Sequence, residues 1–138
     1  MSPVIESEAM YVNKYVREFY PKATVLGKTR VGAYPEGSAA YSVVLGYPDK
    51  IILLPGIVII VEAKIKPTSA AVGQLEFYGQ QFLKTPGFEV YGGFKIELQL
   101  VTPIDDPAVR EYAESKGMKY IIYKPREVNY LLEKRFGG

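Results

Sequence analysis

Cysteine and histidine are both absent from the 138 residues. The first absence excludes a disulfide framework and a thiol nucleophile, the second excludes imidazole acid–base chemistry, and together they exclude a Cys/His zinc site. Chemistry in this chain therefore rests on carboxylates, Lys, Tyr, Ser or Thr, or on a carboxylate-bound metal. No apolar run is long enough to span a membrane, and the N-terminus lacks the basic-then-apolar layout of a signal peptide, so a soluble cytoplasmic protein without a membrane partner is expected. A strong charge excess is also missing: 17 Lys and Arg face 15 Asp and Glu, for a net charge of +2. That balance permits nucleic-acid binding without arguing for it. No repeat, low-complexity tract or linker divides the chain, which reads as one domain over residues 1–138. The high content of Tyr, Ile and Val with no Cys fits a thermophilic source.

What is present is concentrated between Pro48 and Lys64, in PDKIILLPGIVIIVEAK. Two apolar runs, Ile51 to Leu54 and Ile57 to Val61, flank Pro55-Gly56 and predict a β-hairpin. A turn centred on Pro55-Gly56 pairs Leu53 with Val58, Ile51 with Ile60 and Asp49 with Glu62. Pro-Gly suits a type II turn better than the primed turns of tight hairpins, so a symmetrically widened loop is expected, which leaves the pairing unchanged. Side chains alternate along a strand, so Lys64 projects from the face that carries Glu62 and Asp49. Two carboxylates about 5 Å apart at Cβ repel each other. An oxygen-seeking divalent cation would turn that repulsion into coordination.

Residues Ser2 to Tyr20 predict an amphipathic helix capped by Ser2, with Pro3 in its first turn and Ile5, Ala9, Val12, Val16 and Phe19 on its inner stripe. Glu8 leans toward that stripe, about 60° from its centre, and Glu6 lies about 100° away. Ala23 to Val31 reads as a first strand, with Lys28 and Arg30 pointing outward. The glycine-rich stretch from Gly32 to Tyr47 reads as a mobile loop followed by a lead into the hairpin. Both faces of the hairpin are apolar, so it should lie centrally in a layered α/β arrangement. A second helix, capped by Thr68 or Ser69, runs to about Lys84 on an inner stripe of Ala71, Leu75, Gly79 and Phe82, with Gln74, Tyr78 and Gln81 along the stripe's edge. A strand from Phe94 to Val101, a helix from Pro107 to Lys116 capped by Asp106, a strand from Met118 to Tyr123 and a short helix from Pro125 to Arg135 complete the order. The crossover rule predicts that the strands flanking the third and fourth helices are parallel.

Pro48-Asp49 followed by Glu62-Ala63-Lys64 resembles the PD-(D/E)xK nuclease superfamily. An acid on the preceding helix, Glu8, and a Gln-x-x-x-Tyr helix after the motif, Gln74 and Tyr78, look most like its RecB-like and exonuclease branch and the archaeal Holliday junction resolvases. The resemblance runs from about Glu6 to Tyr123. It implies a restriction-endonuclease-like α/β fold, a three-layer core with a central mixed β-sheet flanked by helices, and a metal-dependent DNA nuclease, with endonucleolytic action on branched or single-stranded DNA favoured. It further implies that Asp49, Glu62 and the carbonyl of Ala63 bind Mg²⁺ or Mn²⁺, with Glu8 completing the shell or reaching a second metal. Lys64 would position the attacking water and offset charge on the phosphoryl oxygens, while Gln74 and Tyr78 brace the site or touch the DNA backbone. The resemblance also implies a homodimer, since small nucleases of this kind often act as dimers to supply the two sites that cutting both strands takes. Lys28, Arg30 and Lys66 can contact DNA phosphates or simply solubilise the surface, and the loop around Ser38 can reach DNA or merely connect strands. The third-acid role can belong to Glu8, to Glu36 or to none. A catalytically inactive nucleic-acid-binding module on the same fold is the alternative, and an interaction domain with no nucleic-acid role is a third reading.

Overall fold

The computed structural model describes residues 4–33 and 44–136. Its centre is the predicted hairpin. β4 (Lys50–Leu54) and β5 (Ile57–Ala63) pair antiparallel with Ile51 opposite Ile60 and Leu53 opposite Val58. The loop is not widened: Leu54 pairs with Ile57 directly across Pro55-Gly56, and Gly56 takes φ +73°. A positive φ at the third position is what a type II turn requires, and glycine adopts it without strain.

β5 lies at the middle of a five-stranded mixed sheet of order β1-β4-β5-β6-β7, with β1 at Thr24–Gly27, β6 at Lys95–Thr102 and β7 at Lys119–Ile122. The β5–β6 and β6–β7 pairs are parallel. These parallel pairs flank α2 (Ser69–Gln81) and α3 (Pro107–Ser115), the second and third helices, whereas α4 (Asn129–Phe136) follows the last strand and connects no pair. Thr68 caps α2 and Asp106 caps α3, each accepting a backbone N–H from three residues on. The strand expected over Ala23 to Val31 is divided. β1 ends at Gly27, Lys28 takes φ +51°, and β2 (Val31–Ala33) pairs with β3 (Val44–Gly46) in a separate two-stranded sheet.

The first helix differs most from expectation. α1 spans Glu8–Phe19, and its N-cap is Ser7, whose hydroxyl accepts the Met10 N–H. The preceding chain is drawn away from helix, because the Ile5 N–H is donated to the carbonyl of Glu127 at 2.9 Å. Its inner stripe is also rotated, to Tyr11, Val12, Tyr15 and Val16, leaving Ala9 exposed and Phe19 54% exposed. Tyrosine wins those positions because each hydroxyl finds a buried partner. Tyr11 donates to the carbonyl of Tyr123 at 2.7 Å and Tyr15 donates to Oε1 of Gln99 at 2.8 Å.

Two apolar layers cover the sheet. On one face, Ile52, Ile59, Val61, Ala63 and Val101 pack beneath α1 and α4; on the other, Ile51, Val58, Ile60 and Leu100 pack beneath α2 and α3. Gln99 is only 1% exposed, in the layer beneath α1. Its amide nitrogen donates to Oη of Tyr20 at 3.1 Å and to Oε2 of Glu97 at 2.7 Å. One strand residue thus fixes the docking of α1. Replacing it by the near-isosteric leucine removes the acceptor of the Tyr15 hydroxyl and the donor to Tyr20 and Glu97. Gln99→Leu is expected to lower stability by about 1–3 kcal/mol, read as a shift in the chemical-denaturation midpoint.

Candidate active site

At the end of the hairpin the two strands part. β4 begins only at Lys50, opposite Val61, and the chain bends at Asp49. β5 continues alongside β6, pairing Ala63 with Val101 and donating the Lys64 N–H to the Val101 carbonyl at 2.9 Å. Along a strand, alternate N–H groups point to opposite edges, so those of Ala63 and Ile65 face the side that β4 has vacated. Buried backbone donors need acceptors. Two carboxylates supply them: Oδ2 of Asp49 accepts from Ala63 at 2.7 Å, and Oε2 of Glu8 accepts from Ile65 at 2.9 Å. The residue held between these two anchored amides is Lys64. Strand geometry also places the Ala63 carbonyl on the same vacated edge as its N–H.

Glu62 continues the row of Val58 and Ile60 on the α2 face and is 4% exposed. Burial, then the charge of Asp49 and a hydrogen bond shared with it, push its carboxyl up to about 8, against a downward pull from Lys64. Asp49 and Glu62 therefore converge, and they do so at an electrostatic cost. Tyr78 of α2 stands against the same pair. Its phenol is pushed up to about 12 by burial and by the charges of Glu62 and Asp49, with a backbone hydrogen bond from Tyr47 opposing. The ring reaches this position because residue 46 is glycine: a Cβ there would lie 2.4 Å from Cε1 of Tyr78. Gly46 thus lets α2 grip the segment that leads into Pro48-Asp49. Nothing in the sequence analysis singled it out, although a glycine two residues before the Pro-Asp step was a visible signal of close approach.

The other candidate residues are distributed as follows. Gln74 is exposed on α2, one turn before Tyr78, whereas Tyr78 is 4% exposed and has little surface left for a backbone contact with a polyanion. Lys28, Arg30 and Lys66 are exposed. Ser38 and Glu36 lie outside the described residues. Among the described residues no three acidic side chains converge closely enough to hold one ion, so Glu8 grips the strand end without clustering with the Asp49–Glu62 pair. Two apposed carboxylates and a nearby carbonyl are nonetheless a donor set for a hard cation that retains most of its water, as Mg²⁺ does. Asp49 has one oxygen committed to the Ala63 N–H, and such backbone bonds orient a ligand.

No family model and no curated protein matches the sequence. Solved structures do match. A repair endonuclease from Pyrococcus abyssi is 19% identical with a TM-score of 0.56, covering 91% of this chain and 50% of its own. An EndoMS protein in complex with double-stranded DNA is 17% identical with a TM-score of 0.55, covering 91% and 48%. A protein of unknown function is 14% identical with a TM-score of 0.55, covering 94% and 65%. The chain thus spans about half the length of the first two of these structures. The fold is restriction-endonuclease-like α/β.

Two outcomes follow from this geometry. The folded state holds the Glu62 proton more tightly than the unfolded chain, so the stabilisation is complete below the ordinary value of 4.5 and is lost as pH rises through about 8. Metal-free protein should therefore lose on the order of 2 kcal/mol or more between about pH 5 and about pH 8.5, and Glu62→Gln should flatten that slope in pH-dependent denaturation. Gly46→Ala should cost about 1–3 kcal/mol by overpacking against Tyr78, visible as a lowered Tm.

Proposed function

We propose that this chain is a metal-dependent deoxyribonuclease of the PD-(D/E)xK type, hydrolysing phosphodiester bonds with endonucleolytic action favoured. The observation that carries the reading is the convergence of Asp49 and Glu62 at the open end of the hairpin, on a fold shared with a repair endonuclease and with a protein solved on double-stranded DNA.

Mg²⁺ or Mn²⁺ bound by Asp49, Glu62 and the Ala63 carbonyl would polarise the phosphoryl oxygens and lower the pKa of the attacking water. The protein's own residues set up the rest. Asp49 is oriented by its bond from the Ala63 N–H, and the burial and Asp49 repulsion that raise Glu62 are costs a cation would offset. Lys64, whose neighbouring amides are anchored on both sides, offers a point charge to the water and to the charge that grows on the phosphate. Glu8 holds the strand end and with it the base of Lys64. Tyr78 and the adjoining Gln74 brace the α2 side. Lys28, Arg30 and Lys66 contribute phosphate contacts, and a homodimer would supply the second site that a double-strand cut requires.

The test is cleavage of plasmid, single-stranded and four-way-junction DNA in Mg²⁺, in Mn²⁺ and in chelator. Asp49→Ala and Lys64→Ala are each expected to reduce cleavage by at least about 100-fold. Cleavage that survives both substitutions would sink the assignment, and metal-independent DNA binding without any cleavage would make the chain a binding module. Added Mg²⁺ should also raise the Tm more at about pH 8 than at about pH 5, because it replaces the proton on Glu62.

A further inference from the structure

Alternation along β4 sends neighbouring residues to opposite faces: Asp49 toward Glu62, and Lys50 toward the layer beneath α1. Lys50 crosses over its strand partner Gly27, where an added Cβ would lie 3.1 Å from its Nζ. There it forms the wall of two hollows. One, of about 300 Å³, is lined by Ala9, Asn13, Lys28 and Asp49 among others; the next, of about 600 Å³, by Asn13, Arg17, Tyr20 and Val25. Asn13 and Lys50 border both, so the two are one groove between α1 and the edge strand β1.

Its charge is one-sided. Lys28, Lys50 and Arg17 line it, and the single carboxylate among its lining residues is Asp49, at the inner end. Among the described residues none of the three cations is within ion-pair distance of an acid, whereas Lys14, on the neighbouring flank of α1, is bound to Glu127 at 3.2 Å. The eight residue steps from Ala9 to Arg17 extend the groove about 12 Å along the helix. Spaced cations along an open channel fit a linear polyanion; a small anion would need them gathered at one point.

We infer that this groove holds the nucleic-acid backbone that leads to Asp49 and Glu62, with Lys50 and Arg17 as phosphate contacts. The inference rests on the nuclease reading and adds the path of the substrate to it. Lys50 and Asp49 then divide one strand end between holding the chain and cutting it.

The experiment measures binding of fluorescent single-stranded and duplex oligonucleotides in chelator across a salt series, together with cleavage kinetics in Mg²⁺, for Arg17→Glu, Arg17→Ala and the control Lys95→Glu. Lys95 is exposed and begins β6 at the far end of the sheet, opposite Ile57. Arg17→Glu should weaken binding at least about tenfold and flatten the dependence of log K on log salt by about one to two, with Arg17→Ala intermediate. KM should rise while kcat changes little, and Lys95→Glu should shift binding less than about twofold. Wild-type affinity, salt slope and KM in both Arg17 variants, with cleavage intact, would overturn the groove and leave the nuclease reading standing. A wild-type chain that neither binds nor cleaves any of these substrates would overturn both.

Discussion

The arrangement turns on a shortage of backbone acceptors at one strand end. When β4 bends away at Asp49, β5 keeps its partner on the β6 side and loses it on the other. The amides of Ala63 and Ile65, left without a strand partner, must be met, and carboxylates from two distant parts of the chain meet them. A parted hairpin thus gathers acids around a lysine, because carboxylate oxygens are the acceptors that satisfy such donors most strongly.

That gathering depends on how the helices dock. α1 delivers Glu8 only because Tyr11 and Tyr15 bury their rings over the sheet with both hydroxyls satisfied, the second through Gln99. α2 delivers Tyr78 only because Gly46 leaves space for its ring. Glu62 is carried into this enclosed place by the strand itself, and burial beside Asp49 is what raises its proton affinity. The sheet therefore supplies the chemistry at a strain that the flanking layers sustain.

The hairpin was legible from residues alone because two continuous apolar runs flank a Pro-Gly pair, and a turn centred there sets the register, Ile51 opposite Ile60 and Leu53 opposite Val58. Helix caps at Thr68 and Asp106 were legible for a similar reason, since each sits where an apolar period begins. The start and stripe of α1 were not. Apolar periodicity favours Ala9 and Phe19, but it cannot see that Tyr123 and Gln99 offer hydroxyl partners across the sheet, nor that Glu127 draws Ile5 out of the helix. Gln99 itself reads as an outward residue in an alternating strand, and its burial comes from a polar network assembled by four separate side chains. Lys50 was overlooked because it stands beside a more conspicuous acid and points the other way.

Asp49 and Glu62 stand on the two arms of one tight hairpin, thirteen positions apart in the chain. Tyr78 reaches that pair, and Glu8 the adjoining strand end, across long sequence separations, through helix docking. Contacts of these two kinds form and dissolve on different terms: local pairings close early and at small entropic cost, whereas docked helices open as separate cooperative units. An excursion that loosened α1 would release Glu8 and the far wall of the groove together while the acid pair stayed closed on its turn. The assembly thus has an internal order of failure, in which the proposed route is lost before the acid pair it leads to.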